Sequence, residues 1–482
     1  TSKVSWRRWA WISGLWIQKK RSMLYFYNMR NKSDFRPYQH QAEKFILARP
    51  RSYLAAKAGA GKTGIALAVI EELMFNRFEV SKTLVVAPKR VAVQWPVEAQ
   101  GWTFAAGLRF GVYVGSQEAR QEALAAPYDV LTCSFEFFPE LVKQFRAEDW
   151  PFGLVIFDEA SRLKKGGRRG SVGWKAMNAI SSKTDSRIVL MSGSPRPGTA
   201  HELFAPVYLL DQGQRLGKTL TGFRTDYLEP HKQNRHTGQV YSWRLRDGME
   251  RQLYGKIKDL YFGVAPDLGL KSVVIDRYVR LPDKIQDACI DLQNTQVLDF
   301  DDLELTAASQ GTVAGKLHQM CQGAVFGDNG KVSLLHNEKL NELQEIVEEI
   351  DAPVIIAYWY THDFDRIKKL YPNAVDLSTD AGLAAAKKGE VEIALLHPGS
   401  AGHGIDGLQK HFNNLIWFVV PASFDLYDQT NKRIVRSGQV GDTTSIYRII
   451  AGNGIADERL LSGLYRKEQE QDTFFDHIGK GK

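Results

Sequence analysis

A chain of 482 residues, 44% of them hydrophobic and 24% charged, is too long for one ordinary core, and its composition is globular rather than disordered. No uninterrupted apolar run approaches the length of a membrane span, which argues against an integral membrane protein. The three cysteines, Cys133, Cys289 and Cys321, form no CxxC pair. This spacing argues against a disulfide scaffold or a cysteine-rich zinc site, and it favours a reducing cytoplasm.

The net charge of +8 is distributed unevenly along the chain. Residues 1–34 contain eight Lys or Arg and one acidic residue, and residues 215–258 contain ten Lys or Arg and four acidic residues. Two basic patches are typical of a nucleic-acid-binding protein, although two solvated surfaces would give the same pattern. In 1–34 four tryptophans alternate with basic residues, which indicates either an arm that stacks on bases or a helix that packs on the protein body.

From residue 35 the chain alternates short apolar runs with amphipathic stretches, which predicts parallel α/β sheets. The runs predicted as buried strands of a first lobe are Tyr53–Ala56, Thr83–Ala87, Val130–Cys133, Leu154–Phe157 and Ile188–Met191. The runs predicted as strands of a second lobe are Val354–Trp359, Ala374–Leu377, Glu392–Leu396, Leu415–Val420 and Ser445–Ile450.

Between the two series regular strand runs are scarce, while Arg, Lys, His, Tyr and Gly are frequent. There Met249–Leu260 predicts a helix, and Val273–Leu281 predicts an extended connector that ends at Pro282. We therefore expect an α/β protein with two parallel-sheet lobes in tandem. The expected segments are a basic Trp-rich arm over 1–34, a first lobe over 35–205, a partly helical coupling insertion over 206–330 and a second lobe over 331–482.

The segment 56–63, AKAGAGKT, follows a predicted strand and opens a predicted helix. Glycines in such a loop let backbone N–H groups approach phosphate oxygens, and the helix N-terminus adds a favourable dipole. Lys62 is then placed to reach the β- and γ-phosphates, and Thr63 to hold Mg²⁺. The strict P-loop pattern has Gly at position 56, where this chain has Ala, as in the AxxGxGKT variant common in helicases.

The segment Leu154–Ser161 places two acidic residues directly after four apolar ones, at the carboxyl end of a predicted strand. This is where α/β sheets bind ligands. Asp158 is the expected Mg²⁺ ligand, and Glu159 is expected to orient and deprotonate the attacking water. Two adjacent carboxylates are costly without a cation, which favours a metal site over a helix-capping pair. Ser192–Pro195 follows another apolar strand, and its hydroxyl groups are candidates for sensing the γ-phosphate.

The segment Gln429–Gln439 contains two arginines, Arg433 and Arg436, that are three residues apart and would share one face of a helix. Planar guanidinium groups suit bidentate contact with phosphate oxygens. Because these residues lie far beyond Lys62 in the sequence, they would reach ATP only across a cleft between lobes. They are therefore candidate arginine fingers, with a solvated basic helix face as the alternative.

In this order the motifs resemble the series of superfamily-two helicases, most closely the Swi/Snf-type DNA-dependent ATPases and particularly their short phage or bacterial members. The resemblance covers residues 35–440, and Ser161 stands where the DEAH pattern has His. Asp406 stands where the family usually has Asn. The further segments that carry the resemblance are Phe35–Gln39 (adenine motif), Val86–Arg90 followed by Gln94-Trp95 (motif Ia), Leu131–Ser134 and Ser400–Gly407 (motif V).

The resemblance implies two RecA-like lobes that close on ATP and Mg²⁺ and step along DNA held mainly through its backbone. The catalytic set that it implies is Lys62, Asp158, Glu159, Arg433 and Arg436, with Thr63 and Asp158 on the metal. The implied nucleotide contacts are Gln39, Gly59, Ala60, Gly61, Lys62, Thr63, Gly404, Asp406, Arg433 and Arg436. The implied nucleic-acid contacts are Lys89, Arg90 and Ser134.

Local charge adds a second set of candidate nucleic-acid contacts on the 215–258 patch, with Tyr241 or Trp243 as a stacking group. These residues are Arg224, Lys232, Arg235, Arg244 and Arg246. Removing their charges is expected to weaken DNA binding and flatten its salt dependence.

We therefore predict an ATP hydrolase that acts as a DNA translocase or helicase, remodelling duplex, forked or branched DNA or displacing bound protein. We expect a monomer without membrane contact, located in the cytoplasm, or in the host cytoplasm if the chain is phage-encoded. The alternatives are an RNA helicase, a non-catalytic DNA-binding module with a decayed ATPase, and another P-loop enzyme such as a nucleotide kinase. The Gln94-Trp95 pair and the 429–439 match favour the DNA-directed group.

Overall fold

The computed structural model divides the chain into two compact units. The first contains the described residues up to 265 together with those from 474 onward, and the second contains those from 269 to 473. The expected insertion over 206–330 is thus shared between the units. The residues that the structure describes are 29–57, 59–167, 170–195, 200–233, 238, 240–265, 269–300, 303–306, 309–328, 330–401, 407–436, 438–452, 454 and 456–479. The predicted N-terminal arm lies outside them as far as residue 28.

The first unit is built on a seven-stranded sheet in which every neighbouring pair is parallel, in the order β3-β4-β2-β5-β6-β1-β9. An antiparallel hairpin, β7–β8, follows the sixth strand in the chain. The strands are β1 Arg51–Ala56, β2 Thr83–Ala87, β3 Phe110–Tyr113, β4 Val130–Ser134, β5 Leu154–Asp158, β6 Arg187–Ser192, β7 Leu228–Gln233, β8 Val240–Leu245 and β9 Tyr261–Val264.

Helices connect these strands, as parallel pairing requires. They are α1 Pro37–Leu47, α2 Lys62–Glu71, α3 Lys89–Gln100, α4 Gln117–Ala125, α5 Phe138–Lys143, α6 Val172–Lys183, α7 Phe204–Asp211, α8 Leu220–Tyr227 and α9 Met249–Ile257. Short 3₁₀ turns occupy Lys32–Asp34, Ala160–Leu163, Ala200–Leu203 and Lys258–Leu260, and one π-helical turn occupies Glu72–Asn76. Several of these helices begin at a hydroxyl side chain that accepts a backbone N–H of the first turn, as Ser116, Ser171 and Thr219 do.

The second unit has a six-stranded parallel sheet in the order β10-β19-β18-β15-β17-β16, with two small antiparallel pairs, β11–β12 and β13–β14. The strands are β10 Lys271–Val279, β11 Val297–Phe300, β12 Leu303–Thr306, β13 Ala324–Phe326, β14 Val332–Leu334, β15 Val354–Ala357, β16 Val375–Asp376, β17 Ile393–Leu396, β18 Asn414–Trp417 and β19 Thr443–Ala451. The helices that begin in this unit are α10 Asp283–Thr295, α11 Gln310–Cys321, α12 Glu338–Glu349, α13 Thr361–Leu370, α14 Asp380–Lys388, α15 Pro398–Ala401, α16 Phe424–Asn431 and α17 Asp457–Ile478, with a 3₁₀ turn at Leu408–Lys410.

Each sheet is buried on both faces, which is why its strands read as continuous apolar runs in the sequence. On β1, Tyr53 and Ala55 enter one apolar cluster while Leu54 and Ala56 enter the cluster on the opposite face. On β15, residues Val354 and Ile355 separate in the same way. All ten predicted strands are present, and the helix predicted over 249–260 is formed by α9 and the 3₁₀ turn that follows it.

The segment predicted as an extended connector, Val273–Leu281, is instead most of an edge strand of the second sheet, β10, which pairs with β19 along its whole length. Its sequence hides this role because an edge strand exposes much of its surface. Val273 and Val274 are exposed, and Asp276 and Arg277 carry charges on the same strand. The hydrophobic run that marks an inner strand is therefore missing.

A buried polar cluster ties four elements of the second unit together. The ammonium group of Lys339, on α12, is inaccessible to solvent and donates hydrogen bonds to Asp457 Oδ2 at 2.5 Å and to Gln322 Oε1 at 2.8 Å. Asp457 also accepts the backbone N–H of Ala451 at the end of β19. Because a buried charge needs a partner and hydrogen bonds, this cluster fixes how α11, α12, α17 and β19 pack.

Candidate functional site

The sheet order of the first unit brings three of the predicted motifs to one edge. Strands β5, β6 and β1 are neighbours, and in their registers Asp158 pairs with Met191 and Ala55 pairs with Ser192. The P-loop, the two carboxylates and the Ser192 turn therefore leave adjacent strands at their carboxyl ends, which is the ligand-binding edge of a parallel sheet.

The P-loop adopts a backbone that only glycine takes easily. Gly59 and Gly61 have φ values of 80° and 79°, and Gly61 directly precedes α2. A Cβ atom on Gly61 would lie 2.3 Å from Nε2 of Gln39. The spacing of glycines in the sequence therefore reflects both the loop conformation and the close approach of the predicted adenine-binding glutamine.

Gln39 is held against the loop from two sides. Its Oε1 accepts the backbone N–H of Arg36 at 2.8 Å, and its Nε2 donates to Ala60 O at 3.4 Å. The side chain is buried on α1, whose first residue is Pro37. The residue predicted to read the adenine edge is thus positioned beside the phosphate-binding loop by the backbone of its own motif.

Lys62 and Asp158 form the charged centre of this edge. Lys62 Nζ donates to the carbonyl oxygen of Ala56, at the end of β1, at 3.0 Å. Burial raises the pKa of Asp158 to about 6; the charge of Lys62 opposes that shift and the charge of Glu159 adds to it. A cation bound at the Asp158 carboxylate would offset the free-energy cost of burying its negative charge.

Glu159 has the left-handed backbone conformation, with φ 65° and ψ 55°, which is uncommon outside glycine. Its carboxylate oxygen Oε1 accepts two hydroxyl hydrogen bonds, from Ser161 Oγ at 2.6 Å and from Ser192 Oγ at 3.0 Å. Ser192 Oγ in turn accepts the N–H of Ser194 at 3.1 Å. The predicted general base and the predicted γ-phosphate sensor are thus directly bonded, a contact that the sequence spacing alone did not indicate.

The predicted metal ligands fit magnesium by chemistry. Asp158 supplies a buried carboxylate, and Thr63, at the second position of α2, supplies a hydroxyl at the start of the helix that follows the P-loop. Mg²⁺ prefers oxygen ligands and commonly binds through one or two protein groups together with substrate phosphates. The described residues contain no group of three or more His, Cys, Asp and Glu side chains that would hold a metal by themselves.

In the second unit, the helix that precedes the two predicted arginine fingers ends earlier than expected. Helix α16 stops at Asn431, and both Arg433 and Arg436 lie in the turns that follow, so they do not share one face of a helix. The indole N–H of Trp417, at the end of β18, donates to Asn431 Oδ1 at 2.8 Å and fixes the last residue of the helix. Gly438, at φ 81°, then carries the chain out of the turn.

Of the nucleic-acid contacts implied by the resemblance, two are on the surface of the first unit. Lys89 and Arg90 are exposed at the start of α3, directly after the carboxyl end of β2. Ser134, at the end of β4, is fully buried, and its hydroxyl has no hydrogen-bond partner among the described residues. As the unit stands, Ser134 is shielded from a bound strand while the two basic residues are accessible.

The basic patch around the β7–β8 hairpin is partly neutralised within the unit. Arg244 Nε donates to Glu229 Oε1 at 2.5 Å, and Arg246 Nε donates to the backbone oxygen of Leu228 at 3.1 Å. The guanidinium of Arg224 lies 5.0 Å from the ring centroid of Trp243, a cation–π contact. These arginines therefore hold the hairpin as well as carrying charge.

Four of the predicted contact residues are outside the described residues or are described only in part. Arg235, Gly404 and Asp406 lie outside the described residues, and of Lys232 only the backbone position on β7, opposite Ser242, is described.

A family model, described as SNF2-related domain, matches residues 38–275. That range contains the glutamine, the P-loop, both carboxylates and the Ser192 turn, in the geometry described above. Over this range the chain is similar to the Swi/Snf-type group of superfamily-two helicases. The expected resemblance is therefore confirmed, and so is the expected architecture of two parallel-sheet α/β lobes.

Similar proteins span very different lengths. This chain is 29% identical over 461 residues to the putative protein p41 of Acyrthosiphon pisum secondary endosymbiont phage 1, covering 92% of this chain and 98% of that protein. It is 30% identical over 184 residues to the mouse DNA repair and recombination protein RAD54B, covering 37% of this chain and 19% of that protein. A solved Sulfolobus solfataricus SWI2/SNF2 ATPase core in complex with dsDNA aligns over 94% of this chain and 95% of its own, at 17% identity and a TM-score of 0.41.

The family supports ATP hydrolysis in general terms, with the nucleotide and divalent-metal use that goes with it. Within the described residues no helix is long and apolar enough to cross a membrane.

Proposed function

We propose that this chain is a Swi/Snf-type DNA-dependent ATPase that uses ATP hydrolysis to move along DNA, remodelling duplex, forked or branched DNA or displacing bound protein. The observation that carries the proposal is the convergence of Lys62, Asp158, Glu159 and Ser192 at the carboxyl ends of three neighbouring strands. This set has the groups that phosphoryl transfer to water needs, namely a phosphate cradle, a metal-binding carboxylate and a base.

In the proposed reaction, the P-loop amides and Lys62 bind the phosphates, and Gln39 positions the adenine. Glu159 takes a proton from the attacking water while the water oxygen forms a bond to the γ-phosphorus. The bond from the γ-phosphorus to the bridging oxygen breaks, and ADP leaves with that electron pair. Mg²⁺, held by Thr63 and Asp158, would neutralise charge on the phosphate oxygens.

The second unit is proposed to supply the remaining positive charge. Arg433 and Arg436 carry guanidinium groups suited to phosphate, and the bond from Trp417 to Asn431 restrains the turn in which they lie. We expect these arginines to act on the γ-phosphate only when ATP is bound, so that hydrolysis is coupled to a conformational step. Gly404 and Asp406 remain proposed nucleotide contacts.

For DNA, we propose that Lys89 and Arg90 contact backbone phosphates, with the β7–β8 hairpin as a second basic surface. Backbone contacts give little sequence preference and a strong dependence on salt. The similarity to RAD54B over 184 residues supports DNA as the polymer, since that relative is named for DNA repair and recombination.

The deciding experiment is steady-state ATP hydrolysis measured without nucleic acid and with single-stranded DNA, duplex DNA, forked DNA and RNA. Glu159→Gln, which keeps the size of the side chain but removes the base, is the matched control. We expect stimulation by duplex or forked DNA of tenfold or more, lost in the control.

Stimulation by RNA alone would make the chain an RNA helicase instead. Hydrolysis that is absent under every condition, with DNA binding intact, would indicate a DNA-binding module with a decayed ATPase. Translocation is then tested separately, by displacement of a triplex-forming strand from duplex DNA.

A further inference from the structure

Glu159 is restrained by more contacts than a surface carboxylate needs. Its backbone occupies the left-handed region, a conformation that is costly for a non-glycine residue and persists only when its surroundings enforce it. From this backbone position the carboxylate accepts a hydrogen bond from the hydroxyl two residues ahead, in the 3₁₀ turn Ala160–Leu163.

Both hydroxyl groups donate to the same oxygen. A carboxylate oxygen has two lone-pair directions, and Ser161 Oγ and Ser192 Oγ supply one donor each to Oε1. No hydrogen bond to Oε2 comes from the part of the chain that the structure describes, so the second oxygen is left for another donor. The two donors come from different elements, the 3₁₀ turn after β5 and the end of β6.

Ser192 is itself fixed. It is fully buried, and its Oγ accepts the N–H of Ser194 while its proton is committed to Glu159. The hydroxyl therefore donates one hydrogen bond and accepts another, and it cannot rotate away without losing the one it donates. Ser161 is less enclosed, so that its hydroxyl can be removed or extended without opening a cavity in the core.

We propose that Ser161 and Ser192 are positioning residues that together clamp Oε1 of Glu159, so that Oε2 is the oxygen that accepts the proton of the attacking water. The proposal rests on the proposed function, because it assigns these residues a role in the same hydrolysis. Ser161, which stands where the DEAH pattern has His, is thus a working part of this site through its contact with the base.

Measuring kcat and KM separately distinguishes a role for Ser161 in positioning the base from a general effect on folding. Ser161→Ala removes one donor, and the carboxylate should spend less time in the reactive orientation. We expect the DNA-stimulated kcat to fall about tenfold, the magnitude of one hydrogen bond to a charged group, while KM for ATP stays within twofold. Ser161→Thr keeps the hydroxyl and should restore kcat to within threefold of the wild-type chain.

The decisive comparison uses the residual hydrolysis of Glu159→Gln as the background. If Ser161 acts through the base, Ser161→Ala should add no further loss of turnover once Glu159 is replaced. A readout without nucleotide runs in parallel: Ser161→Ala should lower the thermal unfolding midpoint in the wild-type chain, and by clearly less when Glu159 is Ala.

An active wild-type chain whose turnover is unchanged by Ser161→Ala overturns the clamp and leaves the proposed function standing. Equal losses from Ser161→Ala in the wild-type and Glu159→Gln backgrounds also overturn it, since the residue would then act elsewhere. A wild-type chain with no hydrolysis under any nucleic-acid condition overturns the proposed function and the clamp together.

Discussion

Asp158, at the end of an inner strand, destabilises the nucleotide-free chain but provides a carboxylate for cation binding. It follows four buried apolar residues on β5, and its folded pKa of about 6 lies above the ordinary value of 3.8 because burial disfavours the charged form. Above pH 6 the folded chain therefore carries an ionised group that the unfolded chain would hold at lower cost. A bound cation would lower this free-energy cost, so we expect cation binding to stabilise the folded chain.

Replacing Asp158 by Asn should therefore stabilise the nucleotide-free chain at neutral pH. Between pH 3.8 and about 6 only the folded form holds the proton, so the cost is absent below the unfolded pKa and complete above the folded one. We expect Asp158→Asn to raise the free energy of unfolding by about 2 kcal/mol at pH 7.5, an advantage that disappears below pH 4. Urea unfolding across this pH range measures it.

The exposed Asp149 provides the control for loss of one negative charge, as Asp149→Asn. A gain for Asp158→Asn that does not change with pH would contradict the assignment. In Mg²⁺-dependent ATP binding the same variant should be severely impaired, since the carboxylate is the proposed metal ligand.

At the scale of elements, the packing of the second unit depends on the Lys339 cluster as much as on its apolar core. The lysine lies on α12, and its partner Asp457 is the first residue of α17. The ion pair therefore joins two residues that are 118 positions apart in the chain. A buried ion pair contributes little net stability over an apolar pair, but breaking it leaves an uncompensated charge. The cluster therefore specifies which helix faces meet.

Lys339→Met should lower the free energy of unfolding of the second unit by about 3–5 kcal/mol, because the buried carboxylate of Asp457 would lose the ammonium group that pairs with it. Chemical denaturation followed by tryptophan fluorescence measures the loss. The double variant Lys339→Met with Asp457→Asn removes the stranded charge while keeping an acceptor for the Ala451 N–H, and it should recover at least half of it. A double variant as unstable as the single one would show that the charge is not the cause.

The elements differ in how readily their sequences predicted them. Inner strands such as β2 and β5 were predictable because both of their faces are buried, so they appear as unbroken apolar runs. Strand β10 was not, since its edge position tolerates charge and exposure, and helix α16 ended early where Asn431 accepts the indole of Trp417. Among the site residues, local motifs predicted Gln39, Lys62 and Asp158, whereas the bond from Ser192 to Glu159 depends on strand order, which no local motif encodes.

For the whole molecule, the distribution of charge bears on how DNA is bound. The hairpin arginines contact Glu229, the Leu228 carbonyl and Trp243 within the first unit. Lys89 and Arg90 are exposed at a helix start. Exposed basic side chains that neutralise phosphates release counterions, and the salt dependence of binding counts them.

The double variant Lys89→Ala with Arg90→Ala should weaken binding to duplex DNA uniformly across sequences and reduce the slope of log K against log salt by about 2. Fluorescence anisotropy from 50 to 300 mM salt measures both quantities. Lys183→Ala, an exposed cation at the end of α6 that precedes the amino end of β6, is the matched control and should leave the slope unchanged. An unaltered slope in the double variant would remove these residues from the DNA surface.

The sealed ammonium group of Lys339 also has an analytical use. Amine-acylating reagents modify exposed lysines rapidly, but they can reach this one only when the helices around it separate. The labelling rate of Lys339, measured on a single peptide by mass spectrometry, therefore reports how often the second unit opens. Comparing the rates with and without ATP and DNA shows whether these ligands suppress the opening, in the intact chain and without any engineered probe.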